Sequence, residues 1–233
     1  MSTGWEDRAL QWLAWARRPG FDPYWAARET FFALVPEPMP GERALEVGCG
    51  EGRVSRDLAA RGHRVTGIDA SPTLLAAAAA AHPGGDYRVA AAEALPFAPA
   101  SFDLVVAYNV LMDVADMPRA VAEAARVLRP GGHLCCCVTH PFADAGSWED
   151  DAFVVRGSYL AGGEFDDVLE RGGLMMRFDG RLHTLTDYFA ALEAAGLAVE
   201  ALREPAGEDR WARVPMFLMF RAATRDREPP QPG

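Results

Sequence analysis

RALEVGCGEGRVSRDLAARGHRVTGIDAS, Arg43 to Ser71, sets two apolar runs around a glycine turn and an arginine-rich segment. The first run (Ala44, Leu45, Val47) leads into Gly48, Gly50 and Gly52, and the second, β-branched run ends on Asp69. The pattern reads as strand, tight turn, helix, strand, which is half of a nucleotide-binding α/β unit. Glycines let the backbone turn sharply and approach a ligand, and the following helix offers unpaired N–H groups at its start. Asp69, at the tip of the second strand, is placed to accept both hydroxyls of a ribose. The ligand expected here contains adenosine.

A dinucleotide fingerprint requires G-x-G-x-x-G. Counting from Gly48, its third glycine position holds Arg53, and the third glycine comes one residue early at Gly52. An acid, Glu46, stands two residues before the first glycine. Glu46-Val47-Gly48-Cys49-Gly50-Glu51-Gly52 resembles the E-x-G-x-G-x-G motif of class I S-adenosylmethionine-dependent methyltransferases. Three later blocks carry the same resemblance. Ala91 to Phe97 is similar to the family's D-A-E-x-L-P-F, departing from it with Ala91 where the acid is expected. Ser101 to Asn109 has the S-F-D-x-V form. Arg126 to Gly132, RVLRPGG, resembles the family's turn before strand five. The resemblance covers about Arg43 to Ala222 and is to the broad group of bacterial small-molecule enzymes with a type 11-like methyltransferase domain.

That resemblance implies S-adenosyl-L-methionine as cofactor, with S-adenosyl-L-homocysteine as product. It assigns Glu46, Gly48, Cys49, Gly50 and Gly52 to the methionine and ribose region, and Asp69 with Ala70 and Ser71 to the ribose hydroxyls. Ala92 and Glu93 are expected at the adenine, and Asn109 and Val110 beneath the sulfonium. Similar enzymes cover the cofactor with an N-terminal helical segment, which makes Tyr24 and Arg28 candidates to contact its carboxylate.

The whole chain narrows the function classes. At 233 residues it fits one domain with an insertion. A net charge of −10 opposes a nucleic-acid backbone as partner. All 23 Lys and Arg residues are arginine, so no Walker lysine and no Schiff-base lysine is available. No apolar run reaches about 18 residues, so no membrane span is expected. The N-terminus has no basic region ahead of an apolar one, and a cytoplasmic location follows as the expectation. Cys135, Cys136 and Cys137 read as reduced, buried small hydrophobes, and no Cys/His grouping suggests a metal.

Taken in order, residues 5–17 and about 22–35 read as two helices. They carry Trp5, Trp12, Trp15 and Trp25, which either pack on the sheet or form a lid. Alternating strands and helices then run to strand five, His133 to Thr139, implying a largely parallel, doubly wound sheet. From Phe142 to about Leu182 the rhythm is lost, and a substrate-binding insertion bearing Tyr159, Met175, Met176 and Phe178 is expected. Thr184 to Asp187 has the form of a capping box. Leu197 to Arg203 and Val214 to Ala222 are joined by too short a loop for a crossover helix, so they form an antiparallel hairpin at the sheet edge. The expected fold is α/β: a Rossmann-like, doubly wound, seven-stranded sheet. Its parts are an N-terminal helical lid (1–40), a methyltransferase domain (41–222, insertion 141–182) and a disordered tail (223–233).

The acceptor half of the site is less specified. His140, at the end of strand five, suits a general base at neutral pH. Equally, it reads as a turn histidine held by local hydrogen bonds. Asp113 orients or deprotonates an acceptor, attracts a cationic amine, or merely caps a helix. Trp15, Trp25, Tyr159, Met176 and His183 complete the substrate candidates. The acceptor expected is a small aromatic or otherwise apolar metabolite, methylated at O, N or C by a monomer or homodimer. Two alternatives stay open: a nicotinamide-dependent oxidoreductase, and a cofactor-binding protein of this fold without methyl transfer, including a non-methylating cyclase.

Overall fold

In the computed structural model, which describes residues 4–224, the two apolar runs flanking the glycine turn lie at the centre of a sheet. Helices α1 (Trp5–Ala16) and α2 (Tyr24–Phe32) precede β1 (Arg43–Val47), α3 (Arg53–Ala60), β2 (Arg64–Asp69), α4 (Pro72–Ala81) and β3 (Asp86–Val89). Then come β4 (Phe102–Tyr108), α5 (Met117–Val127), β5 (Leu128–Thr139) and α6 (Pro141–Asp144). Two hairpins follow, β6 (Gly146–Glu149) with β7 (Ala152–Val155) and β8 (Gly163–Arg171) with β9 (Leu174–Leu182). The described chain closes with α7 (Leu185–Ala194), β10 (Leu197–Arg203) and β11 (Phe217–Thr224).

Seven strands form one sheet in the order β10-β11-β5-β4-β1-β2-β3. β1 is parallel to both β2 and β4, with Val47 opposite Ile68 and Ala107. A sheet covered on both faces needs apolar residues on both, and β1 buries Ala44, Leu45 and Val47. One face packs on α5 and α7 through Met117, Val121, Tyr188 and Leu192. The other packs on α2 and α3 through Phe31, Val54 and Leu58. The three consecutive cysteines alternate with the pleat: Cys136 joins the first core, Cys135 and Cys137 the second. All four cysteines are free and buried.

The fold agrees with the sequence expectation, including the reversed end: β11 runs antiparallel to β5, and β10 antiparallel to β11. The differences are local. No helix joins β3 to β4. Residues 90–101 cross as an irregular segment held by side chains of α5, with the Arg126 guanidinium donating to the carbonyls of Leu95 and Phe97 (3.0 and 2.8 Å). β5 begins at Leu128 rather than His133, because Leu128 already pairs with Phe102 across a register shift. β11 takes in Ala223 and Thr224, both assigned to the tail, while 225–233 lie outside the described residues. The insertion is ordered as α6 and the two hairpins, and the second docks where the Arg181 N–H meets the Met112 carbonyl (3.0 Å). Among the described residues no helix is long and apolar enough to cross a membrane.

Candidate functional site

The carboxyl ends of β1, β2 and β4 are tied into one platform. Asp69 Oδ2 accepts the Gly50 N–H and Oδ1 the Ser71 N–H, both at 2.8 Å. The Cys49 N–H reaches the Ile68 carbonyl at 2.8 Å. Gly48 has φ +67°, and a Cβ there would meet Val110 Cβ at 2.8 Å, so only glycine lets the two segments approach this closely. Val110 is delivered by Asn109, which adopts φ +51°, a conformation that asparagine tolerates better than most residues. Burial raises the pKa of Asp69 despite its N–H partners. Glu46 is buried beneath the turn, accepts the Ser55 hydroxyl, and is pushed up to about 8 by its burial.

Helix α1 lies over this platform. Its Glu6 carboxylate accepts the hydroxyls of Ser71 and Thr73 (2.7 Å for Thr73) at the start of α4. Arg8 pairs with Asp179 of β9. The Trp12 indole nitrogen lies 3.7 Å from where a Cβ of Gly50 would stand, and its ring meets Phe178 edge-on at 6.5 Å. The aromatic residues of the first helix thus pack between the glycine turn and β9.

Several sequence candidates are occupied elsewhere. Tyr24, fully buried, donates to Asp57, and Arg28 makes a bidentate pair with the same carboxylate (2.6 and 2.9 Å). Both dock α2 onto α3 and are corrected as carboxylate contacts. Helix periodicity that turns Tyr24 inward turns Trp25 outward, and Trp25 is 54 % exposed on the outer face under the Arg28 guanidinium. Trp15 is buried between Phe21 and Phe178, fixing α1 to β9. Met176 is fully buried on the inner face of the same hairpin. The Tyr159 hydroxyl accepts the Leu185 N–H (2.7 Å) at the start of α7. Trp15 thus joins α1 to the insertion, and Tyr159 joins the insertion to the start of α7.

His140, the candidate base, is engaged locally: its Nδ1 accepts the Phe142 N–H (3.1 Å) and its Nε2 lies 2.8 Å from Glu204 Oε1. It caps α6. Glu93 accepts the N–H groups of Ala115 and Asp116 (2.9 and 3.3 Å), bracing the loop after β4. Ala92 is buried, whereas Ala91 and Ala70 are exposed at the ends of β3 and β2.

Three buried polar atoms beside the glycine turn have no partner among the described residues: Arg53 Nη1, Asn109 Oδ1 and the Tyr87 hydroxyl, which lies against Gly52. Buried polar groups are nearly always paired, so this turn fits a ligand bringing both an acceptor and a donor, such as an amino-acid carboxylate and ammonium. Arg53 otherwise pairs with Asp22 (2.8 Å) and stacks on Trp12 and Tyr24. In the sequence it registered only as a departure from the dinucleotide fingerprint.

On the acceptor side the structure brings together Asp113, Asp144, Tyr188 and His183. Burial pushes Asp113 up to about 8, with Arg8 and the Trp5 indole opposing and Asp144 and Asp69 reinforcing. Asp144, up to about 6 by burial, accepts the Thr139 hydroxyl at 2.7 Å. The His183 ring stands on edge against Tyr188 at 5.4 Å, with burial lowering its pKa. Asp144 and Tyr188 escaped the sequence reading. An acid just past the carboxyl end of a parallel strand is the signal that marks Asp144.

Parallel strands ending on a glycine turn, an acid at the tip of β2 and a reversed final strand define the class I S-adenosylmethionine-dependent methyltransferase fold. Residues 45–136 match the family model described as a methyltransferase domain. The family and the fold imply S-adenosylmethionine as cofactor. A ubiquinone biosynthesis O-methyltransferase of Methylobacterium sp. (strain 4-46) is 45 % identical over 103 residues, 42 % of this chain and 41 % of that protein. The phthiotriol/phenolphthiotriol dimycocerosates methyltransferase of Mycobacterium leprae is 36 % identical over 138 residues, 58 % and 51 % of the two chains. The chain therefore spans about half the length of these curated relatives or less. An S-adenosylmethionine-dependent methyltransferase structure from Mesorhizobium loti superposes with a TM-score of 0.71 at 28 % identity, covering 85 % of this chain and 97 % of that one.

Proposed function

We propose that this chain transfers a methyl group from S-adenosylmethionine to an O, N or C atom of a small molecule by in-line displacement. The observation that carries the reading is the platform in which Asp69 holds the glycine turn while Arg53 Nη1 and Asn109 Oδ1 stand unpartnered beside it. Bound there, S-adenosylmethionine supplies a methyl carbon made electrophilic by its positively charged sulfur. Asp69 suits the ribose hydroxyls, Ala92 the adenine edge, Asn109 Oδ1 the ammonium and Arg53 the carboxylate. Helix α1, with residues 1–40 as its segment, excludes water, which strengthens every electrostatic contact inside. The protein's main work is to hold donor and acceptor about 3 Å apart and in line.

A relative named as an O-methyltransferase supports including oxygen among the acceptor atoms. Four buried free cysteines suit a reducing compartment, and we place the protein in the cytoplasm, acting as monomer or homodimer. Calorimetric titration with S-adenosylhomocysteine, beside NAD and NADP, tests the reading. Saturable one-to-one binding of the first alone supports it. Binding of a nicotinamide cofactor instead overturns it.

A further inference from the structure

The sheet carries a second concavity at its other end. The carboxyl ends of β1 and β2 meet the glycine turn, whereas their amino ends, about 13 Å away along β1, open on a cavity of about 410 Å³. It lies between α3 and the loop that follows α4, and its volume is in the range of small-molecule sites. The walls are basic in a chain whose net charge is −10. Arg43 opens β1 on this cavity, Arg64 opens β2, and Asp86 opens β3 with Arg88 two residues on. Asp86 is the one acid among the described lining residues, and it is already engaged. Arg88 donates to both its oxygens (2.9 and 2.8 Å), and the Thr66 hydroxyl donates to Oδ2 (3.0 Å).

Arg43 and Arg64 stand directly opposite each other across the β1–β2 ladder, and neither forms an ion pair among the described residues. Like charges so placed repel. Asp103, beside the start of β1, accepts the Arg43 backbone N–H (2.9 Å) and pairs both oxygens with Arg129 (2.8 Å each). The Arg43 guanidinium stacks on the Phe102 ring at 4.9 Å, which positions the charge without neutralising it. The pKa of Asp86 is lowered chiefly by Arg88 and also by Arg43, so these two cations share one carboxylate. Three guanidiniums against one carboxylate leave two positive charges in excess. Burial lowers the His63 pKa, with Glu37 and Glu42 opposing from the linker before β1, so this imidazole adds a hydrogen-bonding group rather than a charge. Val65, Ala59 and Tyr87 complete the wall.

We propose that this cavity is a second binding site, separate from the methyl-transfer site, for a small phosphomonoester. Its doubly charged phosphate is held between Arg43 and Arg64, and its organic group lies against Tyr87 and Val65. A carboxylate would offset only one of the two charges in excess, and the guanidinium fork matches phosphate oxygens in pairs. The volume leaves room for an organic group beyond the phosphate. A nucleic acid, with phosphates extending past the cavity, would meet the acidic remainder of the chain. The site stands independently of the methyl-transfer reading.

The experiment titrates phenyl phosphate, inorganic phosphate, phenol and a single-stranded DNA decamer into the full chain by calorimetry, at neutral pH and low salt. Phenyl phosphate is expected to bind one-to-one and at least tenfold more tightly than the other three. Arg43→Gln and Arg64→Gln should each weaken it fivefold or more, with a cooperative melting transition showing that the variants are folded. Arg203→Gln, which changes an exposed arginine of β10 at the opposite edge of the sheet, should leave it unchanged, as should saturation with S-adenosylhomocysteine. Should Arg43→Gln fail to fold for want of its stacking on Phe102, Arg64→Gln decides. Silence from phenyl phosphate overturns the proposal, as does equally tight binding of any of the other three probes. Unchanged affinity in the Arg43 and Arg64 variants, an equal loss in Arg203→Gln, or displacement by S-adenosylhomocysteine overturns it too. If S-adenosylhomocysteine itself does not bind, the methyl-transfer reading fails, and the arginine variants still decide this site.

Discussion

Asp69 Oδ2 accepts the N–H of Gly50 at 2.8 Å, so the acid expected to bind a ribose also shapes the turn that receives the rest of the ligand. One carboxylate thus couples β2 to the start of α3. Asp69→Ala removes a ligand acceptor and frees the turn together. Affinity for S-adenosylhomocysteine should fall by about 1–3 kcal/mol, the scale of charge-assisted hydrogen bonds, and calorimetry reads it directly.

Gly48→Ala sets a methyl group against Val110 at a residue already in the left-handed region. Strain of this kind costs about 1–3 kcal/mol, lowering the melting temperature by roughly 2–4 °C per kcal/mol in a chain of this size. Adding Val110→Ala should recover only part of the loss, because the smaller side chain relieves the contact and leaves the backbone strain. Full recovery in the double variant would locate the whole cost in the contact.

His140→Ala should behave as a structural change. Loss of the α6 cap costs about 1–2 kcal/mol, seen in thermal unfolding, while S-adenosylhomocysteine affinity stays level and turnover remains within about threefold. A hundredfold loss of turnover in a folded variant would restore His140 as the base.

Stability should fall as pH rises from about 4 to about 8. Asp113 and Glu46 are both pushed up to about 8, and Asp144 to about 6. A carboxyl with a folded pKa above its unfolded value favours the native state while protonated, and that advantage is lost as pH climbs through the folded value. Asp86 and Glu123, lowered chiefly by their arginine hydrogen bonds, act the other way and only in the acid range. Melting temperature should therefore peak near pH 4, and Asp113→Asn should flatten the alkaline limb and raise the melting temperature at pH 8.

Glu6→Ala should loosen the cover without unfolding the sheet. Hydrogen exchange of α1 amides is expected to quicken while those of β1 and β4 keep their protection; equal protection of α1 would show that Trp12 and Arg8 hold the helix unaided.

The sheet was legible because its signals are local. The glycine spacing of 48–52, the apolar runs of β1 and β2, and the short link between β10 and β11 each constrain the backbone within a few residues. That same locality fixed Asp69 at a strand tip and Thr184 as a helix cap, both seen in the structure.

Side-chain partnership was settled only by the tertiary structure. Tyr24 and Arg28 had the chemistry for a ligand's carboxylate, but Asp57, 33 and 29 positions away, took both. His140 had the chemistry of a base, but Glu204, 64 positions on, and the Phe142 N–H engage its nitrogens. Asp113, Asp144 and Tyr188 lie far apart in the chain, and they act on one another's charge only once β4, β5 and α7 have packed. Sequence determines which backbone geometry each segment prefers, because steric and hydrogen-bonding preferences act over a few residues. Which polar atom is left free for a ligand depends on distant groups competing for it, and that competition is decided when the chain folds.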